Sequence, residues 1–128
     1  MSNIVVVEDD DAVRDVVVAM LADRGYSVLP FGNAAEARRA LRDPVDLLIV
    51  DVELGDGCGL DLIPLAVTED DVQAPAIVLS SLRAEGDIMR GFCAGAVDYL
   101  GKPFSREELL ARCAIHLARR SGLETSTM

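Results

Sequence analysis

A chain of 128 residues is long enough for one ordinary domain and too short for two. Hydrophobic residues make up 51% of it and charged residues 27%, which is typical of a globular protein and excludes a disordered one. The formal net charge of −10 argues against direct nucleic-acid binding, because an acidic surface repels phosphate backbones.

Apolar runs alternate with helical patterns five times along the chain. Short apolar runs rich in β-branched residues predict strands that are buried on both faces. These strands are predicted at residues 4–7, 26–30, 45–50, 75–79 and 96–100. Helices are predicted at residues 10–24, from residue 33 to the Asp43–Pro44 pair, at 60–67, at 85–93 and after residue 105. This alternation predicts a parallel sheet with helices on both faces.

Residues typical of helix ends support the predicted elements. Asn33 with Glu36, and Ser105 with Glu108, have the three-residue spacing of a capping box at the start of a helix. Gly25 favours the end of the first helix, because glycine readily adopts the left-handed conformation found there. The sequence therefore predicts the beginnings of the second and last helices and the end of the first.

The remaining composition argues against several classes of protein. Cys58, Cys93 and Cys113 are odd in number and lack metal-binding spacing, so we expect reduced residues in or near the core. The one histidine, His116, is expected to be a surface or packing residue of the last helix. The chain shows no basic signal-peptide region and no apolar run near the roughly 18 residues of a membrane span, which predicts a cytoplasmic protein. Residues 121–128 are predicted to be a polar tail or the start of a linker.

Polar side chains stand at the carboxyl ends of four predicted strands. They are Glu8, Asp9 and Asp10 after the first strand, Asp51 after the third, Ser80 after the fourth and Lys102, followed by Pro103, after the fifth. In an open parallel sheet these ends meet at one edge, where ligands bind. Each residue alone has an ordinary explanation, such as helix capping by Asp10 or Asp11, so the functional hypothesis rests on their conjunction.

The conjunction permits one kind of chemistry in particular. Carboxylates at close range repel one another and favour a divalent cation, and oxygen ligands with phosphate nearby point to Mg²⁺. A carboxylate can attack a phosphoryl group, while the metal, an ammonium and a hydroxyl hold the transferred oxygens. The sequence therefore predicts a site for phosphoryl transfer.

With these residues placed, the sequence from about residue 3 to residue 120 resembles a response-regulator receiver domain of two-component signalling. The resemblance rests on four segments: VVEDD at 6–10, LIVD at 48–51, VLSS at 78–81 and GAVDYLGKPF at 95–104. It implies one receiver domain over residues 1–120. The implied fold is a flavodoxin-like (βα)5 doubly wound parallel sheet of strand order 2-1-3-4-5.

The resemblance also implies roles for individual residues. Asp51 would accept the phosphoryl group, and Lys102 and Ser80 would contact it. Tyr99 would fill the space that Ser80 vacates when it moves. The Lys102–Pro103 peptide bond is expected to be cis.

The implied Mg²⁺ ligands come from three places in the chain. Asp9 would bind the ion directly and Glu8 mostly through a water molecule, together with Asp51 and the backbone carbonyl of Glu53. Because four acids follow one another from residue 8, the pair Asp9 and Asp10 stays open as an alternative.

The implied function is that of a signalling switch rather than a conventional enzyme. A partner histidine kinase or phosphotransfer protein would supply the phosphoryl group, and the domain would promote its own phosphorylation and dephosphorylation. An output domain or partner would read the face formed by the fourth helix, fifth strand and fifth helix, and a phosphorylation-dependent homodimer is a further expectation. Val97 stands where some members carry an acid used in a dimer salt bridge, and Gly55 and Gly101 also depart from the common pattern.

Three other interpretations compete with this one. A pseudo-receiver would use the same fold only for binding, which the intact acids, Ser80 and Lys102 argue against. A metal-dependent nuclease or topoisomerase-type fold would explain Glu8, Asp51 and Glu53 but neither Ser80 nor Lys102. A flavodoxin-like cofactor binder would need a phosphate-binding glycine loop after the first strand, which the sequence lacks.

Overall fold

The structure, a computed structural model, describes residues 2–120 and has a five-stranded parallel sheet at its centre. The strands are β1 (Asn3–Val7), β2 (Ser27–Phe31), β3 (Leu47–Val50), β4 (Ala76–Ser80) and β5 (Asp98–Gly101). Their order across the sheet is β2-β1-β3-β4-β5, which confirms the predicted doubly wound order. The tail predicted for residues 121–128 lies outside the described residues.

Helices cover both faces of the sheet. They are α1 (Asp11–Asp23), α2 (Ala34–Ala40), a 3-10 helix (Gly59–Leu65), α3 (Glu85–Cys93) and α4 (Arg106–Arg120). The third predicted helix is therefore 3-10 rather than α, and it contains Pro64, which has no N–H for an α-helical bond. No helix within residues 2–120 is long and apolar enough to cross a lipid bilayer.

The core lies on both sides of the sheet because successive side chains of its central strands point to opposite faces. In β3, Leu47 and Ile49 pack against α1 and α4, while Leu48 and Val50 pack against α2 and the 3-10 helix. All four of these side chains are at most 1% exposed. Burying each contributes about 1.5–3 kcal/mol relative to leaving it in water, so the sheet positions of β3 are firmly specified.

Several local predictions can be checked in the structure. The Asn33 and Ser105 side chains accept the predicted capping bonds from Glu36 N at 2.8 Å and Glu108 N at 3.0 Å. Gly25 follows α1 with a φ of +85°, a value that favours glycine. The predicted location of the cysteines is correct for Cys113, which is buried. It is wrong for Cys58 and Cys93, which are exposed: Cys58 lies in the segment between β3 and the 3-10 helix, and Cys93 is the last residue of α3.

A buried polar cluster fixes α4 to the start of β5. The Asp98 carboxylate accepts hydrogen bonds from Arg112 Nη1 at 2.8 and 2.9 Å, from His116 Nε2 at 3.0 Å and from Tyr99 N at 3.0 Å. Burial tends to raise the pKa of Asp98, but the bonds from His116 and Arg112 outweigh it and hold that pKa below its usual value. His116 is thus a packing residue of the core, one of the two positions expected for it.

Candidate functional site

The acids after β1 and β3 lie together because these two strands are neighbours. Val7 pairs with Val50, so the residues that follow them leave the sheet side by side. One carboxylate oxygen from each of Glu8, Asp9 and Asp51 lies within 4.8 Å of the others. Glu8 and Asp51 are buried, at 2% and 8% exposure, whereas Asp9 is exposed and opens the group to solvent.

Lys102 brings one positive charge into this acidic group. Its Nζ donates to Glu8 Oε1 at 2.5 Å and to Asp51 Oδ2 at 2.9 Å. The lysine follows β5, and its backbone N–H donates to Ser80 O at 2.9 Å, which ties it to the end of β4. The long side chain therefore reaches past β4 to the acids after β1 and β3.

The electrostatics of the group leave an excess of negative charge. Burial raises the pKa of Glu8, and the Asp51 charge adds to this, although the bond from Lys102 opposes it. Burial tends to lower the pKa of Lys102, but its bonds to Glu8 and Asp51 outweigh that and raise it. Three carboxylates face one ammonium, and their hard oxygens are the ligands that a divalent cation such as Mg²⁺ prefers.

Asp10 stands apart from the three grouped acids. Its carboxylate accepts a hydrogen bond from Val13 N at 3.1 Å and caps α1, the ordinary role considered from the sequence. Its backbone N–H donates to Glu8 Oε2 at 3.1 Å and helps to orient that side chain. The structure thus brings Glu8 and Asp9 together with Asp51, and the alternative pair of Asp9 and Asp10 is not favoured.

Ser80 is the last residue of β4 rather than the first residue after it, and it is 1% exposed. Its hydroxyl accepts a hydrogen bond from Leu82 N at 3.1 Å. A hydroxyl that accepts one bond can still donate its own proton to another oxygen. Ser80 therefore lies at the end of its strand with a hydroxyl that can still donate, and its contact with a phosphoryl group stays a prediction.

Tyr99 is linked to the loop that follows Ser80. Its hydroxyl donates to Leu82 O at 2.6 Å, and its ring is half-buried. The ring lies directly against the backbone of α3, because a Cβ on Gly91 would come within 2.9 Å of the ring carbon Cδ2. Tyr99 thus contacts both the loop and the helix beyond it.

The segment after Asp51 forms a short antiparallel hairpin, in which Glu53–Leu54 pairs with Gly57–Cys58. Glu53 N donates to Asp51 Oδ1 at 3.3 Å, so the carboxylate is held by its own chain. The Lys102–Pro103 peptide bond is cis, as the resemblance implies.

Gly59 is a residue of the site that the sequence analysis did not single out. A Cβ there would lie 1.8 Å from the Asp51 carbonyl oxygen and 2.7 Å from Val50 Cγ2. Only glycine lets the 3-10 helix begin this close to the acid. The glycine-rich composition of residues 55–59 was the available signal, but it did not indicate which glycine matters.

Comparisons with known proteins agree with this arrangement. The model of the response regulator receiver domain matches residues 4–114. The transcriptional regulatory protein PhoP of Escherichia coli is 35% identical over 126 residues, which cover 98% of this chain and 56% of that protein. The transcriptional regulatory protein YvrH of Bacillus subtilis is 34% identical over 129 residues, which cover 98% of this chain and 54% of that one. The chain thus spans about half the length of the curated relatives it matches.

Solved structures give the same result. The non-phosphorylated HemR receiver domain of Leptospira biflexa has a TM-score of 0.79 at 30% identity, with 92% of this chain and 95% of that one covered. The BeF3-activated DrrB receiver domain has a TM-score of 0.81 at 31% identity, with 91% and 97% covered. The chain belongs to the family of response-regulator receiver domains.

Proposed function

We propose that this chain is a phospho-accepting switch, in which Asp51 takes a phosphoryl group in a Mg²⁺-dependent reaction. The observation that carries the proposal is the convergence of Lys102 Nζ with the Glu8 and Asp51 carboxylates, at 2.5 and 2.9 Å. Buried charges of this kind contribute little net stability, because their desolvation offsets their attraction. Their presence is better explained by a reaction that uses them.

In the proposed reaction, a carboxylate oxygen of Asp51 attacks phosphorus and forms the new P–O bond. The bond between phosphorus and the donor nitrogen of a phosphohistidine breaks, and the nitrogen keeps the electron pair. The phosphoryl group brings about 1.5 to 2 negative charges and three strong acceptor oxygens, while the charge of the Asp51 carboxylate is used in the new bond. Lys102 Nζ would hold one of these oxygens, and the Ser80 hydroxyl would donate to another.

Glu8, Asp9 and Asp51 would hold the cation, together with the backbone carbonyl of Glu53. When bound, Mg²⁺ neutralises charge on the oxygens of the transferred group. Support for this ligand set comes from the proximity of the three carboxylates and from the exposure of Asp9, which leaves the group open to solvent. Burial and, to a smaller extent, the nearby charge of Asp51 raise the pKa of Glu8, and the same accumulation of negative charge favours a cation.

The new charge would change the loop after β4. Ser80 would move toward the phosphoryl oxygens. Its hydroxyl now accepts a hydrogen bond from the N–H of Leu82, and the Tyr99 hydroxyl donates to the carbonyl of the same residue. Movement of Ser80 would therefore alter the contact that holds Tyr99. A shift from mostly off to mostly on requires about 5.5 kcal/mol of differential stabilisation.

We further propose that a histidine kinase or phosphotransfer protein is the donor. An output domain or partner would read the face formed by α3, β5 and α4, in which α3 and α4 are the fourth and fifth helices predicted from the sequence. Met89 and Phe92 on α3 and Ile115 on α4 are exposed apolar side chains that suit protein contact. The relatives named transcriptional regulators are about twice as long, which is consistent with an output domain in those proteins. A phosphorylation-dependent homodimer and a cytoplasmic location stay predictions.

The direct test is intact-mass spectrometry after incubation with Mg²⁺ and acetyl phosphate. We expect the parent protein to gain one phosphoryl group and Asp51→Asn to gain none, because the amide is not a competent nucleophile. EDTA in place of Mg²⁺ should prevent the gain. Equal labelling of both proteins would remove Asp51 from its role, and no labelling of the parent would favour a pseudo-receiver.

A further inference from the structure

Arg83 connects two segments of the candidate site. It lies in the loop between β4 and α3, three residues after Ser80, and its guanidinium donates to the backbone carbonyl of Lys102. The backbone N–H of Lys102 donates in turn to the carbonyl of Ser80 at 2.9 Å. Both backbone polar groups of the lysine are therefore held by Ser80 and the loop that follows it.

The Lys102 carbonyl takes its hydrogen bond from outside the sheet. β5 is the outermost strand and ends at Gly101, so Lys102 lies beyond the regular ladder of the sheet. A backbone carbonyl in such a place takes its hydrogen bond from a side chain or from water. A guanidinium is a strong donor here, since a charged donor makes a shorter and stronger bond than a neutral one.

Gly101 makes room for this contact. A Cβ on Gly101 would lie 2.9 Å from Arg83 Nε and 3.3 Å from Arg83 Cζ. Any larger residue would displace the guanidinium, which is the far end of a flexible side chain. Gly101 is one of the positions where the sequence departs from the pattern of the family it resembles, and the Arg83 guanidinium occupies the space that its missing side chain leaves.

We propose that Arg83 is a positioning residue for phosphoryl transfer, which fixes the Lys102 backbone relative to Ser80. The inference rests on the proposed function. Before the reaction, Glu8 and Asp51 both hold the ammonium. As Asp51 attacks phosphorus its negative charge is used in the new bond, so the ammonium must pass from the Asp51 carboxylate to a phosphoryl oxygen. The position of its flexible stem then depends more on the backbone, which Arg83 holds.

The test measures the rate of phosphorylation by acetyl phosphate at saturating Mg²⁺ in a small set of variants. We expect Arg83→Ala and Gly101→Ala each to be slower by about fivefold, the size of one partly exposed charge-assisted bond. The double variant should be no slower than either single one, because both substitutions remove the same contact. Arg83→Lys should recover part of the rate, since an ammonium can still donate one bond.

Two controls separate positioning from general damage. Arg39→Ala removes the same charge from an exposed site on α2 and should leave the rate unchanged. The Mg²⁺ dissociation constant, measured calorimetrically without phosphodonor, should be the same in every variant, because the acids that bind the ion are untouched.

The outcomes distinguish this inference from the proposed function. An unlabelled parent protein would overturn both of them. A labelled parent with an equally fast Arg83→Ala variant would overturn the inference alone. So would additive losses in the double variant, or a parallel loss of Mg²⁺ affinity, because either would mean that the substitutions act by another route.

Discussion

The most informative residues are the ones whose placement works against stability. Glu8 and Asp51 are nearly buried, carry like charges and share a single ammonium from Lys102. Replacing such a group by well-packed apolar residues is often neutral or stabilising. The presence of these charged residues in a chain with a large apolar core therefore supports the assignment of this edge of the sheet as the functional site.

A prediction at this scale concerns Gly59. Gly59→Ala should lower the free energy of unfolding by about 3 kcal/mol, because the new Cβ would lie 1.8 Å from the Asp51 carbonyl oxygen and backbone must move. Chemical denaturation measures this difference. The matched control is Gly55→Ala, where nothing lies within 4 Å of the new Cβ, and it should change stability by less than about 0.5 kcal/mol. Equal tolerance of the two substitutions would contradict the close approach.

The proximity of the acids and Lys102 could be predicted from the sequence because they follow strands whose ends meet at one edge of the sheet. The roles of Gly59 and Arg83 could not, since each depends on an approach between segments that no local pattern encodes. Residue chemistry at strand ends is therefore readable in advance, whereas the fit of one backbone against another is not.

At the scale of elements, the edge strand β5 is held by α4 as well as by β4. Asp98 receives donors from Arg112 and His116, which lie on successive turns of α4. This anchor lies at the amino-terminal end of β5, whereas Lys102 follows its carboxyl-terminal end. The strand is thus fixed at one end and available for chemistry at the other.

The anchor predicts a pH-dependent contribution to stability. Asp98→Asn should lower the free energy of unfolding by about 1–3 kcal/mol at pH 5, because it removes a buried charge from three side-chain hydrogen bonds. The pKa of Asp98 is lowered in the folded protein, so its contribution is present above about pH 4 and is lost as the pH falls through the lower folded value. Urea unfolding at pH 5 and pH 3 measures the loss.

The control for this prediction is Glu108→Gln. Glu108 contacts Arg112 at 3.6 Å, but its side chain is 46% exposed, so its loss should cost no more than about 0.5 kcal/mol. A difference between the parent and Asp98→Asn that is as large at pH 3 as at pH 5 would contradict the role assigned to the carboxylate.

The elements themselves were largely predictable. The boundaries of α3 agree with the sequence prediction, and those of the strands differ by no more than a few residues. The main error was the segment at residues 59–65, where apolar spacing suggested an α-helix but Pro64 and the close approach of Gly59 give a 3-10 helix. Periodicity reports which face is buried, and it does not distinguish two helix types of such short length.

At the scale of the whole molecule, the site is a small part of a strongly acidic protein with a net charge of −10. Such a charge raises the local concentration of cations and destabilises the compact state through repulsion. A cation bound among Glu8, Asp9 and Asp51 should therefore stabilise the fold as well as assist the chemistry. The large core on both faces of the sheet means that the fold should not depend on the ion.

This balance gives a prediction for metal removal. The protein should remain folded in EDTA, and Mg²⁺ at about ten times its dissociation constant should raise the free energy of unfolding by about 1.4 kcal/mol. Thermal unfolding with and without Mg²⁺ measures the gain. Asp9→Asn should lose most of it, while Asp15→Asn, at an exposed acid of α1, should keep it. Unfolding by EDTA alone, or an equal loss in both variants, would contradict the assignment.

The absence of a side chain at Gly91 affects how α3 and Tyr99 can move. At Gly91 the Tyr99 ring lies against the backbone of α3, so we expect a shift of the ring to displace the helix. A rotation of the Tyr99 ring would therefore change its contact with α3. Met89 and Phe92, which are exposed on the same short helix, would move with it. The absence of a side chain at Gly91 would thus convert the motion of one half-buried aromatic ring into a change at the protein surface.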